Sequence, residues 1–471
     1  METANNIILS QNKAYEEIVA KLENIIKTNM VWDNEISLSG AAGTGKTYIT
    51  TKLVKALLTN YHITITAPTH KALQVLRQNL IAQEITTVDT KTIQSFLNIK
   101  LVTDYDKGIQ KFEPIKSNEK DTTTTDILIV DESSMISEDI YNYIIKEIEK
   151  SRVKAVLFVG DEYQLLPIDS DTNQIFSIRN KYKLTQIVRQ AKDSYIITMA
   201  TKARSIIKSK QYISIKEFFE DVAFKDKIQF FHSIEEFHND FCTPDTWAKK
   251  DKVIVSFTNK SVDTHNRVIR RKFWEAQNVL NPDTLLKGDK VIFQQANVID
   301  EKIIHQNSDI AELSSAIKEY LGSLQIYFWD CKDLQGKPLK VVAPESQGRF
   351  EMILNKLAKA AKNNKYYESR KIMWKNFFDL KDMFVDVKYT YASTIHKVQG
   401  STYETVYIDL TEIENMRDKD MMFRLLYVAL TRASTDVKIL LPNSTNMLLA
   451  KMQDDILNSL DEQFKNLGID L

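Results

Sequence analysis

The stretch Ile36-Ser37-Leu38-Ser39-Gly40-Ala41-Ala42-Gly43-Thr44-Gly45-Lys46-Thr47 passes from a short apolar segment through a glycine-bearing loop into a helix-like run, Tyr48 to Leu58. Its last eight residues satisfy G-x-x-x-x-G-K-[ST], the spacing that makes a strand-to-helix connection a phosphate cradle. Glycines let successive backbone N–H groups and the helix N-terminus face the phosphates. Lys46 neutralises the β and γ oxygens of ATP, and the Thr47 hydroxyl is a ligand for Mg²⁺. Only 11 of the 471 residues are glycine, yet Gly40, Gly43 and Gly45 lie close together. A chain that otherwise avoids flexible backbone concentrates it where a ligand must approach the main chain.

Outward from this loop, apolar runs at Ile36 to Ser39, Ile63 to Ala67, Ile127 to Val130 and Val156 to Gly160 alternate with helix-like stretches up to residue 188. Such alternation predicts a parallel sheet covered on both faces by helices. A second set, Val253 to Phe257, Val406 to Leu410 and Val437 to Leu441, flanks a helix-like run from Asp418 to Leu430 and predicts a second α/β domain. Residues 99 to 125 are polar and turn-rich around Asp106-Lys107-Gly108, which reads as an inserted hairpin. Residues 286 to 385 hold β-prone pieces at Asp289 to Phe293, Leu324 to Asp330 and Leu339 to Ala343, then a Lys-rich helical stretch from Phe350 to Asp382.

Two further segments carry chemistry. Ile127-Leu128-Ile129-Val130-Asp131-Glu132 is a buried-strand run ending in two carboxylates, Asp131 suited to hold Mg²⁺ through water and Glu132 to polarise an attacking water. Gly160-Asp161-Glu162-Tyr163-Gln164 ends another strand and sets Gln164 at the ligand-binding edge of the sheet, where it can sense the γ-phosphate. Composition narrows the class. Lys+Arg and Asp+Glu both number 63, so overall charge points to no nucleic-acid or membrane partner and any basic groove must be local. Cys242 and Cys331 are far apart, which excludes a disulfide framework and fits a reducing cytosol. The start lacks a basic, then apolar, leader pattern, and no run approaches a membrane span, so the expectation is neither secretion nor a membrane partner.

Taken in order, these motifs and others resemble superfamily 1 DNA helicases of the RecD-like 5′→3′ branch, closest to the Dda-type helicases of T-even phages. The resemblance runs through Leu9 to Ala14, the Gly40 to Thr47 loop, Ala67-Pro68-Thr69-His70-Lys71-Ala72, Thr92 to Leu97, Asp131 to Met135 and Gly160 to Pro167. It continues in Leu184 to Gln190, Ser256 to Asp263, Tyr391 to Thr402 and Leu425 to Ala433. It implies two RecA-like parallel-sheet motor domains, residues 1–98 with 126–188 and residues 189–285 with 386–471. The hairpin at 99–125 would be inserted in the first, and a small β-rich module with its helical stretch, 286–385, in the second.

The same resemblance implies that Gln11 contacts the adenine and that Gln399 and Gly400 lie near the nucleotide. Arg189 and Arg432 would be arginine fingers, forked and always charged. A single DNA strand would rest on Pro68, Thr69, His70, Thr92 and Ser95, then on Thr258, Asn259, Thr394 and His396. Phe112 of the hairpin, opposite Tyr105 across the turn, is the candidate wedge for a forked duplex. Implied partners are single-stranded and forked DNA, with a single-strand-binding protein or replication proteins as further candidates. A monomer is compatible with all of this, and the implied compartment is the cytoplasm, a host's if the gene is a phage's. Two rival readings share some of the residues: a P-loop small-molecule kinase, and an ATPase that coats single strands without separating them.

Overall fold

The computed structural model describes residues 2–28, 32–104, 109–114, 124–167, 173–186, 194–220, 227–243, 251–279, 284–299, 302–305, 307–414 and 416–441. The chain divides into two compact units. One comprises Met1–Thr201, Val279–Thr390 and Gln399–Ser401, the other Lys202–Asn278, Tyr391–Val398 and Thr402–Leu471.

The first unit is built on six parallel strands, β1 (Glu35–Gly40), β2 (Ile63–Ala67), β3 (Asp89–Thr92), β6 (Thr125–Val130), β7 (Val153–Gly160) and β8 (Asn180–Leu184), in the order β3-β2-β6-β7-β1-β8. Apolar runs specify these strands because both faces are covered. Ile127, Ile129, Ala155, Leu157 and Val159 point to one side, where they meet Leu53 and Val54 of the helix Lys46–Leu57, Leu73 of His70–Ala82 and Ile18 of Glu2–Thr28. Leu128, Val130, Val156 and Phe158 point to the other, against Ile144 of the helix Glu138–Glu149 and against Ile93 and Phe96. The period of two thus sorts one run of residues into two cores.

Between β3 and β6, β4 (Ile99–Asp104) and β5 (Ile109–Pro114) pair antiparallel with Leu101 opposite Phe112, so the expected hairpin exists at the backbone level. The turn at Asp106-Lys107-Gly108, Tyr105, residues 115–123 and the Phe112 side chain lie outside what the structure describes. Within 286–385 the β-prone pieces are strands and the Lys-rich stretch is helical. Residues 279–390 group with the P-loop unit, although in chain order they interrupt the other one. Here β11 (Lys290–Phe293), β14 (Ile310–Leu321), β15 (Ile326–Asp333), β16 (Pro338–Val342) and β17 (Val387–Tyr389) form an antiparallel sheet in the order β16-β15-β14-β11-β17, with β12 (Asn297–Ile299) and β13 (Lys302–His305) paired separately. The Lys-rich stretch is two helices, Pro344–Asn363 and Tyr367–Met383, fastened by Phe350 and Phe384 to Phe328 of β15.

The second unit is a parallel sheet of β9 (Gln229–Phe231), β10 (Lys252–Ser256), β18 (Ala392–Thr394), β19 (Tyr403–Asp409) and β20 (Ala433–Leu440) in the order β18-β10-β19-β20-β9. The helix Lys419–Thr431 buries nearly its whole length and connects β19 to β20 as a crossover between parallel strands must. Burial pushes the Cys242 thiol up to about 11 and the Cys331 thiol up to about 12, so both stay protonated and inert. Among the described residues no helix is long and apolar enough to cross a membrane.

Candidate functional site

Strands β1, β7 and β6 lie side by side, Ser39 in register with Gly160 and Phe158 with Val130. Because all three are parallel, the loop after β1, the turn after β7 and the carboxylates after β6 leave the same edge, where open α/β sheets bind ligands. Gly43 and Gly45 hold φ of 77° and 88°, which a side chain would resist. A Cβ on Gly40 would lie 2.5 Å from the Thr44 hydroxyl, which itself donates to the Ala41 carbonyl at 2.8 Å. The Lys46 ammonium folds over the loop and donates to the Gly40 and Ala41 carbonyls at 2.6 and 3.1 Å. Thr47 is exposed in the first turn of the following helix. Gln11 Nε2, buried on the first helix, donates to the Thr44 carbonyl at 2.8 Å, so the predicted adenine contact is fastened directly to the loop.

Glu132 sits at φ 50°, ψ 41°, a left-handed conformation that a non-glycine residue holds at about 1 to 3 kcal/mol. Its N–H donates to Asp131 Oδ1 at 2.9 Å, which fixes the bend that follows β6. Burial raises the Asp131 pKa above the ordinary carboxylate range and the Glu132 charge adds to this, while the Lys46 charge pulls it down. The Lys46 ammonium is therefore within electrostatic reach of the carboxylates.

Gln164 is almost fully buried, and its Oε1 accepts from Gln399 Nε2 at 2.8 Å and from Ser134 Oγ at 3.4 Å. Gln399 Nε2 also reaches Ser134 Oγ at 3.3 Å. Gly400 has φ 76°, and a Cβ there would lie 3.2 Å from Ala72 Cβ and 3.9 Å from Glu132 Cγ. Gln399 and Gly400 thus stand among the carboxylate, Gln164 and Ala72 segments of the first unit. Ser134 is a member of this cluster that sequence reasoning missed, as is Ser133, packed where a Cβ on Gly160 would come within 2.5 Å of its hydroxyl.

The threonines predicted to hold a strand prove to be structural devices as well. Thr69 caps the helix His70–Ala82 by accepting from Ala72 N, and Thr92 caps Ile93–Phe96 by accepting from Ser95 N. In the second unit Thr258 caps the helix Asn259–Glu275 by accepting from Ser261 N, and Thr394 accepts from Lys397 N. The registers match: Ala67, two residues before Thr69, pairs with Thr92, and Ser256, two residues before Thr258, pairs with Thr394. Each sheet therefore presents two capped, N–H-rich chain turns side by side at the same edge, a geometry suited to phosphate oxygens.

Behind Thr258 lies a buried polar chain that joins two histidines with no motif spacing in the sequence. Asp409 Oδ2 accepts from His265 Nε2 at 2.9 Å and from Ser261 Oγ at 3.0 Å, while its Oδ1 accepts from Thr411 N and Oγ1 at 3.0 and 2.6 Å. An ionised carboxylate only accepts, so His265 donates to Asp409 through Nε2, and its Nδ1 shares a hydrogen bond of 2.7 Å with His238 Nε2. Burial pushes Asp409 up, but the His265 bond and charge and the Thr411 bonds outweigh it and hold the group low. Burial, then the His265 charge, pushes His238 down to about 4. Glu412 completes the support by accepting from Thr258 N and Oγ1 at 3.1 and 2.7 Å.

Known proteins match in the same places. Residues 23–211 match the family model of an AAA domain, and residues 389–440 that of the UvrD-like helicase C-terminal domain. The ATP-dependent DNA helicase dda of Enterobacteria phage T4 is 26% identical over 441 residues, which cover 86% of this chain and 94% of that one. The RecBCD enzyme subunit RecD of Buchnera aphidicola is 29% identical over 169 residues, 34% of this chain and 28% of that one. The chain is a superfamily 1 helicase of the RecD and Dda type. Among solved structures, Bacteroides Pif1 bound to ssDNA is similar to this helicase with a TM-score of 0.47 and 16% identity, over 95% of this chain and 97% of that one.

The remaining predicted residues of the helicase are distributed as follows. Pro68 is half-buried, and His70, Ser95 and Asn259 are exposed at the starts of their helices. His396 lies 6.2 Å from the Phe257 ring, and burial lowers its pKa, so it offers hydrogen bonds rather than charge at neutral pH. Arg432 closes the helix Lys419–Thr431 in the second unit, with Nε donating to the Val428 carbonyl at 3.2 Å and Nη2 to Thr431 Oγ1 at 3.0 Å. Arg189 lies outside the described residues.

Proposed function

We propose that this helicase hydrolyses ATP to move 5′→3′ along single-stranded DNA and to separate the strands of a forked duplex. One observation carries the reading. The phosphate loop, the strained Asp131-Glu132 turn and Gln164 leave one edge of one sheet, and each sheet carries a pair of threonine turns where its own strands end. The likeness to the T4 protein, named an ATP-dependent DNA helicase, supports the same activity here.

The proposed motor domains are residues 1–98 with 126–188, and 189–285 with 386–471. Lys46 and the loop N–H groups bind the β and γ phosphates, and Gln11 contacts the adenine. The Thr47 hydroxyl and the Asp131 carboxylate are hard oxygen donors that fit Mg²⁺. Bound there, the ion neutralises phosphate charge. Glu132 orients and deprotonates the attacking water, Gln164 senses the γ-phosphate, and Arg189 and Arg432 stabilise the charge spread over the transferred group. The Gln399 contact to Gln164 links the sensing side chain to the segment that runs on from Thr394 and His396, two of the proposed strand contacts. Pro68, Thr69, His70, Thr92 and Ser95 grip the strand on one motor domain, and Thr258, Asn259, Thr394 and His396 on the other. Phe112 blocks the displaced strand, so Phe112→Ala lowers unwinding while strand-stimulated hydrolysis persists.

The deciding experiment is ATP turnover with and without single-stranded DNA. Stimulation by DNA is expected. A small-molecule kinase would be indifferent to DNA, and an ATPase that only coats single strands would turn over ATP without releasing a strand from a forked duplex.

A further inference from the structure

The two helices of the insertion carry a charge concentration that the motor chemistry does not use. Between Met352 and Phe378 seven Lys or Arg stand against one acid, Glu368, in a chain whose charges balance at 63 and 63. Ala361, Trp374 and Phe378 seal the helices together with Met373 and Phe377. Lys356, Lys359 and Lys362 recur every three residues on the exposed side of the first helix, and Lys365, Lys371 and Lys375 are exposed beyond it.

The link between the helices presents aromatic surface. Tyr366 is 79% exposed and Tyr367 51% exposed. Arg370 lies 5.8 Å from the Tyr367 ring, which leaves Tyr366 as the more open of the two rings. The turn that carries it is fixed: Asn364 Oδ1 accepts from Tyr366 N at 2.8 Å, and Arg370 N donates to the Tyr366 carbonyl. A water-facing ring on a fixed turn beside lysines at helical spacing is the combination that binds a nucleic-acid strand without reading sequence, with ammonium groups on phosphates and the ring stacked on an unpaired base.

We propose that this helical pair is a second binding site for single-stranded DNA, separate from the threonine turns. The inference rests on the reading of the protein as a DNA motor. Its test is the salt dependence of dT oligonucleotide binding by the full chain, measured by fluorescence anisotropy. Replacing Lys356, Lys359, Lys362 and Lys365 together by Gln keeps helix propensity and removes four charges. The slope of log affinity against log salt should flatten by about 0.7 for each phosphate that is no longer neutralised. Tyr366→Ala should weaken binding by about 5- to 150-fold, and Tyr366→Phe should restore it. DNA-free ATP turnover and circular dichroism should not change in any of the three.

An unchanged slope and affinity in the quadruple variant would overturn the site while leaving the DNA-motor reading intact. A flattened slope with unchanged binding in Tyr366→Ala would overturn the single-strand assignment and leave a charge-only face such as an acidic protein takes. A wild-type chain that binds no DNA would overturn both readings.

Discussion

The two parallel sheets present similar edges but saturate them differently. In the first unit, Thr47 and Glu132 follow a loop with positive-φ glycines and a strained turn, and both keep part of their surface open. In the second unit, the corresponding edge is closed by Ser261, His265, His238 and Thr411 around Asp409, with Glu412 bonded to Thr258. One edge is arranged to meet a ligand. The other is tied to itself so that a helix cap stays in place. Strain in the first sheet therefore stands where chemistry is proposed, whereas the second sheet holds a satisfied polar chain that fixes geometry.

The largest expected effect tests the first half of that contrast. Lys46→Ala or Glu132→Gln should reduce DNA-stimulated ATP turnover by about a hundredfold or more, with single-strand affinity nearly kept. Weakened strand affinity with normal turnover would remove these residues from the chemistry. The second effect belongs to the closed edge. His265→Leu should destabilise the protein by about 1.5 to 3 kcal/mol in denaturant titration, because a charged acceptor loses a buried donor.

The same chain has a pH signature. With His238 held near 4 in the folded state against about 6.5 unfolded, the unfolded chain binds the extra proton between those values. Stability from this group is complete above about pH 6.5 and falls as pH drops toward 4, and His238→Gln should flatten that part of the profile. A profile of the same slope in the variant would mean that other groups set the acid limb.

Smaller effects sharpen the comparison. Gln164→Ala and Gln399→Ala should be non-additive in turnover by about 1 to 2 kcal/mol, since they remove one shared hydrogen bond. Strict additivity would reduce their contact to packing. Thr69→Ala and Thr258→Ala should each lower stability by about 1 kcal/mol through removal of the cap, with Ser at either position restoring it.

Some of this is legible in the sequence because strong local patterns leave few alternatives. Glycine spacing, the Lys46-Thr47 pair and the buried run ending at Asp131-Glu132 mark the phosphate edge of β1 and β6 without tertiary information. The short strands β3, β9 and β18 escape, since Asp89–Thr92 is polar and Gln229–Phe231 and Ala392–Thr394 are only three residues long. The Asp409 chain escapes for a different reason. His238, His265 and Asp409 are distant in sequence, and only the order of strands and helices brings them to hydrogen-bond distance. The resemblance proposes Thr69, Thr92 and Thr258 as strand contacts, whereas their caps follow from where each helix starts.

The central claim is that nucleotide chemistry at the first edge drives strand separation with defined polarity. Release of a labelled strand from duplexes bearing either a 5′ or a 3′ single-stranded tail tests it directly, with Glu132→Gln as the control. The account predicts ATP-dependent release from the 5′-tailed duplex, little from the 3′-tailed one, and none with the variant. Release that needs no ATP, persists in Glu132→Gln or favours the 3′ tail would contradict it.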